Sequence, residues 1–145
     1  MSLKVELKPG ERLIIGNCVV TNADQRTRLF IEGKAPILRE KDILSPATAD
    51  SPAKRIYLAV QFMYLDGDVE VLRSDYFALV TEIVRAAPST TALVDDINNE
   101  ILRGSLYKAL KAAKKLIQYE QELISNAAPG SGRLQPDGQE DSQSA

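Results

Sequence analysis

The stretch LKPGERLIIGNCVV, Leu7 to Val20, decides how the first part of the chain folds. Its Pro9-Gly10 pair is typical of a tight turn, because proline presets the first turn dihedral and glycine accepts the unusual second one. Gly16-Asn17 is a two-residue hairpin signal between two short aliphatic runs. The stretch therefore predicts the end of one strand, a turn and then a β-hairpin.

Alternating apolar residues on either side of this hairpin predict further strands. Leu3, Val5 and Leu7 share one face of the first strand, and Leu29 and Ile31 point inward from a later one. The five predicted strands cover residues 3–7, 12–15, 18–21, 28–32 and 37–40. So small a sheet buries too little surface to be stable alone. We expect it to need cover from the rest of the chain, from a second subunit, or from both.

The pattern changes to helical spacing after residue 50. Ser51 before Pro52 is typical of a helix start, and Asp66-Gly67 of a helix end. A further turn of helix over 68–72 and a new helix from Ser74 or Asp75 are expected next, followed by two more helices. The predicted fold class is α+β: a small five-stranded antiparallel β module (1–46), a bundle of four to five helices (47–125) and a disordered tail (126–145).

Composition argues against catalysis and metal binding. The chain has no histidine and one cysteine, Cys18, so the commonest general base and metal ligand is missing. We therefore predict no enzyme activity, no cofactor and no metal site. Cys18 lies among aliphatic residues and is expected to be an inert core residue. No apolar run is long enough to span a membrane, and no signal peptide is visible, which favours a cytoplasmic protein.

Charge is unevenly distributed along the chain. Residues 1–50 carry +1, residues 51–102 carry −4, residues 103–125 carry +3 and the remainder carries −2. The basic charge thus lies at the two ends of the predicted folded part. This distribution is too mild to indicate nucleic-acid binding by itself.

Long runs of the chain from Leu3 to Ile124 resemble the FlbT family of flagellar biosynthesis proteins. The matching blocks are LKVELKPGERLIIGNCVVTNADQRTRLFIEG, APILREKDIL, PAKRIYLAVQFMYL, INNEIL and LYKALKAAKKLI. Members of that family are described as post-transcriptional regulators that associate with the 5′ untranslated region of flagellin mRNA and promote its degradation, or act positively in some bacteria. The resemblance implies the same partner, the flagellin mRNA leader, for this chain.

The β module also resembles, more weakly, the carbon storage regulator family of small RNA-binding β proteins. The shared positions are Gly10, Glu11, Ile15, Gly16, Ala35, Pro36, Arg39 and Glu40. This resemblance implies a homodimer with interleaved strands and RNA contacts from basic residues of the first strand and from the arginine that closes the fifth. Leu7-Lys8 stands where that family has a pair of arginines.

Arg39 is the leading candidate for RNA contact, since its planar fork suits a phosphate or a guanine edge. The alternative is a surface arginine paired with Glu40 or Asp42. Other basic residues could extend one RNA-binding surface or belong to a solvated face of mixed charge. They are Lys4, Lys8, Arg26, Arg28, Lys34 and Lys41.

Two further features have alternative interpretations. Phe30 is expected to be a core residue, although an outward Phe30 could stack on a base. The last helix carries Lys108, Lys111, Lys114 and Lys115, which could bind RNA or an acidic partner but are more typical of lysines that solubilise a helix.

The predicted function is regulation of flagellin synthesis by occupation of the mRNA leader, which blocks translation or exposes the message to nucleases. The alternative is a protein-binding flagellar assembly factor, in which the helical half recognises flagellin or a companion flagellar regulator. The acidic segment 51–102 favours this alternative because it would repel RNA.

Overall fold

The structure, a computed structural model, describes residues 2–127 and confirms the α+β class. Five strands come first: β1 (Ser2–Leu7), β2 (Arg12–Ile15), β3 (Cys18–Thr21), β4 (Thr27–Glu32) and β5 (Ile37–Arg39). After a 3-10 turn at Glu40–Asp42 come four helices: α1 (Pro52–Asp66), α2 (Val69–Ala86), α3 (Thr91–Leu102) and α4 (Leu106–Ala127). Residues 128–145 of the predicted tail lie outside the described residues.

The strands form two small antiparallel sheets where one was expected. β1 pairs with β4 in a two-stranded ribbon, the β1–β4 ribbon, while β2 lies between β3 and β5 in a second sheet. The turn after β3 separates them. There the Asn22 side chain donates hydrogen bonds to the carbonyl oxygens of Leu7, Lys8 and Gln25 at 2.8 to 3.1 Å. These bonds fix the loop against the end of β1, so that β4 turns away from β3 and pairs with β1.

The predicted hairpin at Gly16-Asn17 is confirmed. Ile15 lies opposite Cys18, and Gly16 has φ +62°, a left-handed conformation that glycine accepts without steric cost. Cys18, however, is exposed, so its assignment to the core is wrong. β3 is the outer strand of its sheet, and only Val20 of this strand packs against buried residues.

The three-stranded sheet is a middle layer between the ribbon and the helices. From its inner strand, Leu13 and Ile15 pack toward the ribbon, whereas Ile14 packs toward the helices. On β5, Ile37 faces the ribbon and Leu38, which is 2% exposed, joins the helical core. The helical half therefore covers one face of the sheet, which is the cover that the small module needs.

The helices begin and end close to the predicted signals. Ser51 Oγ accepts a hydrogen bond from the Lys54 amide, and Gly67, with φ +72°, ends α1. α2 is one continuous helix from Val69, capped by the Asp68 side chain. The expected helical turn over 68–72 is part of it, and the expected new start at Ser74 or Asp75 is wrong. α1 and α3 pack along α4, and α2 packs along α1.

Candidate functional site

The structure divides the seven predicted RNA-binding residues into two groups. Arg39, Lys34 and Lys41 lie where the β module meets the helices, and each is exposed. The other four lie on the ribbon and the turns that follow it: Lys4, Lys8, Arg26 and Arg28. The predicted single basic surface is thus two separate surfaces.

The ribbon carries no excess of positive charge on its outer face. Arg28 Nη2 lies 3.2 Å from Glu6 Oε2, and Lys4 and Phe30 are cross-strand partners. With Glu32 also on this face, two cations are balanced by two carboxylates. Phe30 is 67% exposed, so its expected place in the core is wrong; Leu29 and Ile31 point inward, and strand alternation turns Phe30 outward.

Lys8 and Arg26 lie at the end of the ribbon away from the helices. Ser2 pairs with Glu32 at the near end, and Leu7 pairs with Thr27 at the far end. The five intervening steps of strand place Lys8 and Arg26 about 17 Å from the near end. Neither residue therefore lies beside the group at the module–helix boundary.

Two residues of the boundary group, Arg39 and Lys41, line a cleft of about 480 Å³. We call it the junction cleft, and it is lined among others by Leu3, Ile31, Arg39, Lys41, Tyr64 and Tyr107. Its walls come from the near end of the ribbon, from β5 with the following turn, and from α1 and α4. A groove at the meeting of several elements is the usual setting for a binding site.

Three polar side chains of α1 hold the backbone of the cleft wall. The Tyr64 hydroxyl donates to the Ile37 carbonyl and accepts from the Ile37 amide, both at 3.0 Å. Gln61, 3% exposed, likewise makes two hydrogen bonds to the backbone of Leu44, accepting from its amide and donating to its carbonyl, both at 2.9 Å. The Tyr57 hydroxyl donates to the carbonyl of Asp42 at 2.5 Å. The spacing Tyr57, Gln61, Tyr64 puts all three on one helix face.

These bonds depend on neutral phenols. Burial raises the pKa of Tyr57 and of Tyr64 above the ordinary value of 10.0, with Asp42 adding to the effect at Tyr57. Both hydroxyls are therefore protonated at neutral pH and remain donors. Because Tyr64 fixes Ile37 before Arg39 and Tyr57 fixes Asp42 after it, α1 sets the backbone position of Arg39.

Arg39 has no ion-pair partner within residues 2–127. The expected alternative, pairing with Glu40 or Asp42, is not found: Glu40 Oε1 lies 3.4 Å from Arg12 Nε, and Asp42 Oδ1 lies 2.5 Å from Lys114 Nζ. The guanidinium of Arg39 is thus exposed at the cleft with its donors available to a ligand. This is the charge state and geometry that a phosphate or a guanine edge would require.

The lysines of α4, for which RNA binding is one of the two interpretations, lie beside Lys41, and no local pattern predicts that proximity. Lys111 Nζ lies 5.2 Å from the centre of the Tyr107 ring, and Tyr107 in turn packs at 5.8 Å on Tyr64. A second hollow of about 280 Å³ continues the cleft along Lys41, Lys111 and Lys114. The start of α4 therefore adds positive charge and an aromatic ring, 45% exposed, to the residues of β5.

A third hollow extends the surface toward the loop before α4. Lys34 and Lys108 line it together with Tyr107, and Asp66 is its one carboxylate. Across all three hollows, six cations face two carboxylates, of which Asp42 is already paired with Lys114. The junction cleft and its extensions form a basic, partly aromatic surface suited to a polyanion with exposed rings.

Within residues 2–127 no group of three or more His, Cys, Asp or Glu side chains could hold a metal ion. No helix in that range is both long and apolar enough to cross a bilayer.

The INNEI stretch has an internal role, since Asn98 Oδ1 accepts a hydrogen bond from the Tyr76 hydroxyl at 2.5 Å.

Comparison with known proteins identifies the family. The model of the family described as "Flagellar protein FlbT" matches residues 3–124. The chain belongs to the FlbT family. The resemblance found from the sequence blocks is thereby confirmed, while that to the carbon storage regulator family stays a prediction.

Relatives in the FlbT family match over most of their own length. The probable flagellum biosynthesis repressor protein FlbT 1 of Bradyrhizobium diazoefficiens is 58% identical over 124 residues, which cover 85% of each chain. The probable repressor FlbT of Rhodopseudomonas palustris strain TIE-1 is 50% identical over 86% of this chain and 99% of its own. The flagellum biosynthesis repressor FlbT of Caulobacter vibrioides strain CB 15 is 36% identical over 90% and 94%. No solved structure matches the chain.

Proposed function

We propose that this FlbT-family chain represses flagellar synthesis by binding the 5′ leader of flagellin mRNA in the junction cleft. Occupation of the leader blocks translation or exposes the message to nucleases, so the chain itself needs no catalytic group. Relatives named flagellum biosynthesis repressors support the repressing role. The assignment of RNA contact to the cleft is our own. We place this repression in the cytoplasm, where the message is translated.

The observation that carries the proposal is the unpaired Arg39 beside the α4 lysines and Tyr107. Arg39 can bind a phosphate bidentately, Lys41 and Lys111 can bind neighbouring phosphates, and the exposed Tyr107 ring can stack on an unpaired base. Single-stranded leaders offer both groups, whereas a duplex hides its bases. The proposed ligand is therefore an unpaired segment of the leader.

The test is a gel-shift titration of the full chain with a flagellin leader across a salt series. We expect the variant Arg39→Ala/Lys41→Ala/Lys111→Ala to lose most of its RNA binding. The slope of the logarithm of the binding constant against the logarithm of salt concentration should become shallower by about 2, since each lost phosphate contact removes about 0.7 for a single strand. The matched control is Lys4→Ala/Lys8→Ala/Arg26→Ala. It removes the same charge from the ribbon surface and is expected to bind as the parent chain does.

Equal losses from both triple variants would mean that only net charge matters, and the cleft assignment would fall. A loss confined to the ribbon variant would transfer the site to β1 and β4. Circular dichroism of each variant checks that the helices remain folded.

We also propose that two copies associate through the β module. β3 is an outer strand whose Val19 is 61% exposed, and its free edge could pair with another strand. Sedimentation of Val19→Lys beside the parent chain tests this proposal, since a lysine on the edge would weaken the dimer. A parent chain that stays monomeric at high concentration would overturn it.

A second function, protein binding by the helical half, is favoured by one observation. Residues 68–103, which contain α2 and α3, carry seven Asp or Glu and three Arg. A net charge of −4 repels RNA but suits a basic polypeptide. Under this proposal a gel shift with the leader appears only after a companion protein is added.

A further inference from the structure

An apolar groove lies between α2 and α3, on a part of the molecule that the junction cleft does not use. We call it the α2–α3 groove; it has a volume of about 360 Å³ and is lined among others by Val69, Arg73, Phe77, Asn98, Ile101 and Leu102. Its floor is rigid, because Met63 and Tyr76 are buried and the Tyr76 hydroxyl is bonded to Asn98. Its rim is apolar and open to solvent, with Phe77 49% and Leu102 79% exposed.

The two helices that form the groove carry a net negative charge, although the lining itself is neutral. Arg73 is the one cation among the lining residues, and its Nη1 lies 2.7 and 3.0 Å from the two carboxylate oxygens of Glu70. Arg73 also lies 5.9 Å from the centre of the Phe77 ring. Residues 68–103, which contain both helices, carry a net charge of −4. An occupant must therefore combine apolar side chains with positive charge.

The tail of the same chain cannot supply that occupant. Its one large apolar residue, Leu134, lies seven residues beyond Ala127, which span at most about 25 Å. Leu102 of the groove precedes the start of α4, and the 22 residues of that helix are about 33 Å long. That span is shorter than α4, and residues 128–145 also carry a net charge of −2, which does not suit a groove between acidic helices.

A second copy placed face to face is also disfavoured. A symmetric pair would bring together two helix pairs, each within a segment of net charge −4, around two small apolar rims, and like charges across an interface oppose association. The occupant must then be a different polypeptide.

We infer that the α2–α3 groove binds an amphipathic helical segment of another protein, one that inserts a bulky apolar side chain between Phe77 and Leu102 and is flanked by Lys or Arg. The inference rests on the second proposed function, for which it supplies a site and a class of partner. It is independent of RNA binding in the junction cleft, which lies on other residues.

The probe is a synthetic amphipathic helical peptide with leucines on one face and lysines at its flanks. Binding to the full chain is measured by fluorescence anisotropy and by chemical-shift changes in the protein. Leu102→Ser should weaken binding about tenfold, as expected for a central apolar contact. Val71→Ser is the matched control: Val71 is 74% exposed on α2 and does not line the groove, so binding should stay within about twofold of the parent.

A second peptide with glutamates in place of the lysines separates charge from hydrophobicity and should bind far more weakly. The inference is overturned if the basic peptide does not bind, if both peptides bind alike, or if Leu102→Ser binds as Val71→Ser does. It is also overturned if sedimentation shows a dimer that Leu102→Ser dissociates, or if the leader RNA shifts the groove signals. A groove that fails these tests leaves the gel-shift result of the cleft unaffected, so the two proposals fail separately.

Discussion

The β module and the helical half of this chain differ in how each is stabilised. Three fully buried residues form the centre of the module core: Val5, Leu7 and Leu13. The helical core has fourteen buried residues, and one of them, Leu38, comes from β5. The module thus has a core too small for independent stability and gains the rest from α1 and α4. A surface built on such a module is positioned by the helices beneath it.

Polar contacts show the same asymmetry. Tyr57, Gln61 and Tyr64 of α1 bond to the backbone of the module and of the segment that follows it. The exposed pair of Arg28 and Glu6 on the ribbon, by contrast, contributes little, because exposed ion pairs are worth at most about 1 kcal/mol. The candidate residues Arg39, Lys34 and Lys41 lie on the part with the weaker core, and the part with the stronger core fixes their geometry.

The largest expected effect on the difference between the two halves comes from raising the pH, which acts on tyrosines of the helical half. All five tyrosines lie in the helical half, and burial raises the pKa of Tyr57, Tyr64 and Tyr76 above 10.0. The neutral phenols then stabilise the folded state fully below pH 10.0, and that stability is lost as the pH rises through the folded-state pKa values. We expect the helical circular dichroism signal to fall together with phenolate formation.

No histidine is present, so stability should change little between about pH 6 and pH 9. Ionisation of more than two of the five tyrosines near pH 10 while the helices stay intact would contradict the assignment of three buried phenols.

Replacing the residue that joins the two cores should have the next largest effect. Leu38→Ala is expected to lower the free energy of unfolding by about 3–4 kcal/mol, because it leaves a cavity in the well-packed helical core. Leu13→Ala, in the smaller core, should cost about 2–3 kcal/mol, because its surroundings can collapse more easily. Urea unfolding measures both.

Amide exchange distinguishes the two variants. Leu38→Ala should speed exchange in β5 and in α1 together, whereas Leu13→Ala should affect the module alone. Equal exchange patterns would mean that the module and the helices unfold as one unit, and the comparison between them would lose its basis.

Removing the buried carboxylate of α4 tests how strongly the hydrogen bonds between α4 and the start of α1 stabilise the helical half. Glu120, 8% exposed, accepts hydrogen bonds from the Ser51 hydroxyl at 2.5 Å and from the Ala53 amide at 3.0 Å, at the start of α1. Glu120→Ala leaves both donors without a partner and should cost about 2–3 kcal/mol. Glu120→Gln keeps one acceptor oxygen and should recover part of the loss.

Thermal unfolding of the two Glu120 variants and the parent gives the comparison. Similar losses for alanine and glutamine would show that the negative charge at the helix start, and not the hydrogen bonds, is what matters.

The smallest expected effect comes from the tyrosine that holds β5. Tyr64→Phe removes both bonds to the backbone of Ile37 and should cost about 1 kcal/mol, since the site is partly open to water. Faster exchange of the Ile37 amide is the specific readout. Tyr119→Phe is the matched control, because that hydroxyl bonds only to the Ser89 side chain. An unchanged Ile37 amide would mean that Tyr64 does not position β5.

Much of the fold could be predicted because it rests on local signals. The Gly16-Asn17 hairpin and the Ser51-Pro52 helix start are encoded by residues adjacent in sequence, and both are confirmed. Cys18 and Phe30 were misplaced because a short outer strand and strand alternation expose apolar side chains that composition alone assigns to a core. The division into two sheets depends on the long-range bonds of Asn22, which no local pattern indicates.

Only part of the candidate site could be predicted from the sequence. Arg39, Lys34 and Lys41 could be selected from their charge and from family resemblance, but Lys111 and Tyr107 could not be joined to them. They are separated from β5 by about seventy residues of chain. Only packing of α4 against the module brings them together.

The sequence by itself determined the order of strands and helices, the turns between them and the family, since turn dihedrals, caps and apolar periodicity act over a few residues. The tertiary structure decided which charges share a surface. It separated Lys8 and Arg26 from Arg39, placed the α4 lysines beside Arg39 and exposed an apolar groove in the acidic helices. The reason is physical: a polar surface forms wherever burial of the apolar faces leaves it, and burial is settled only when distant elements pack.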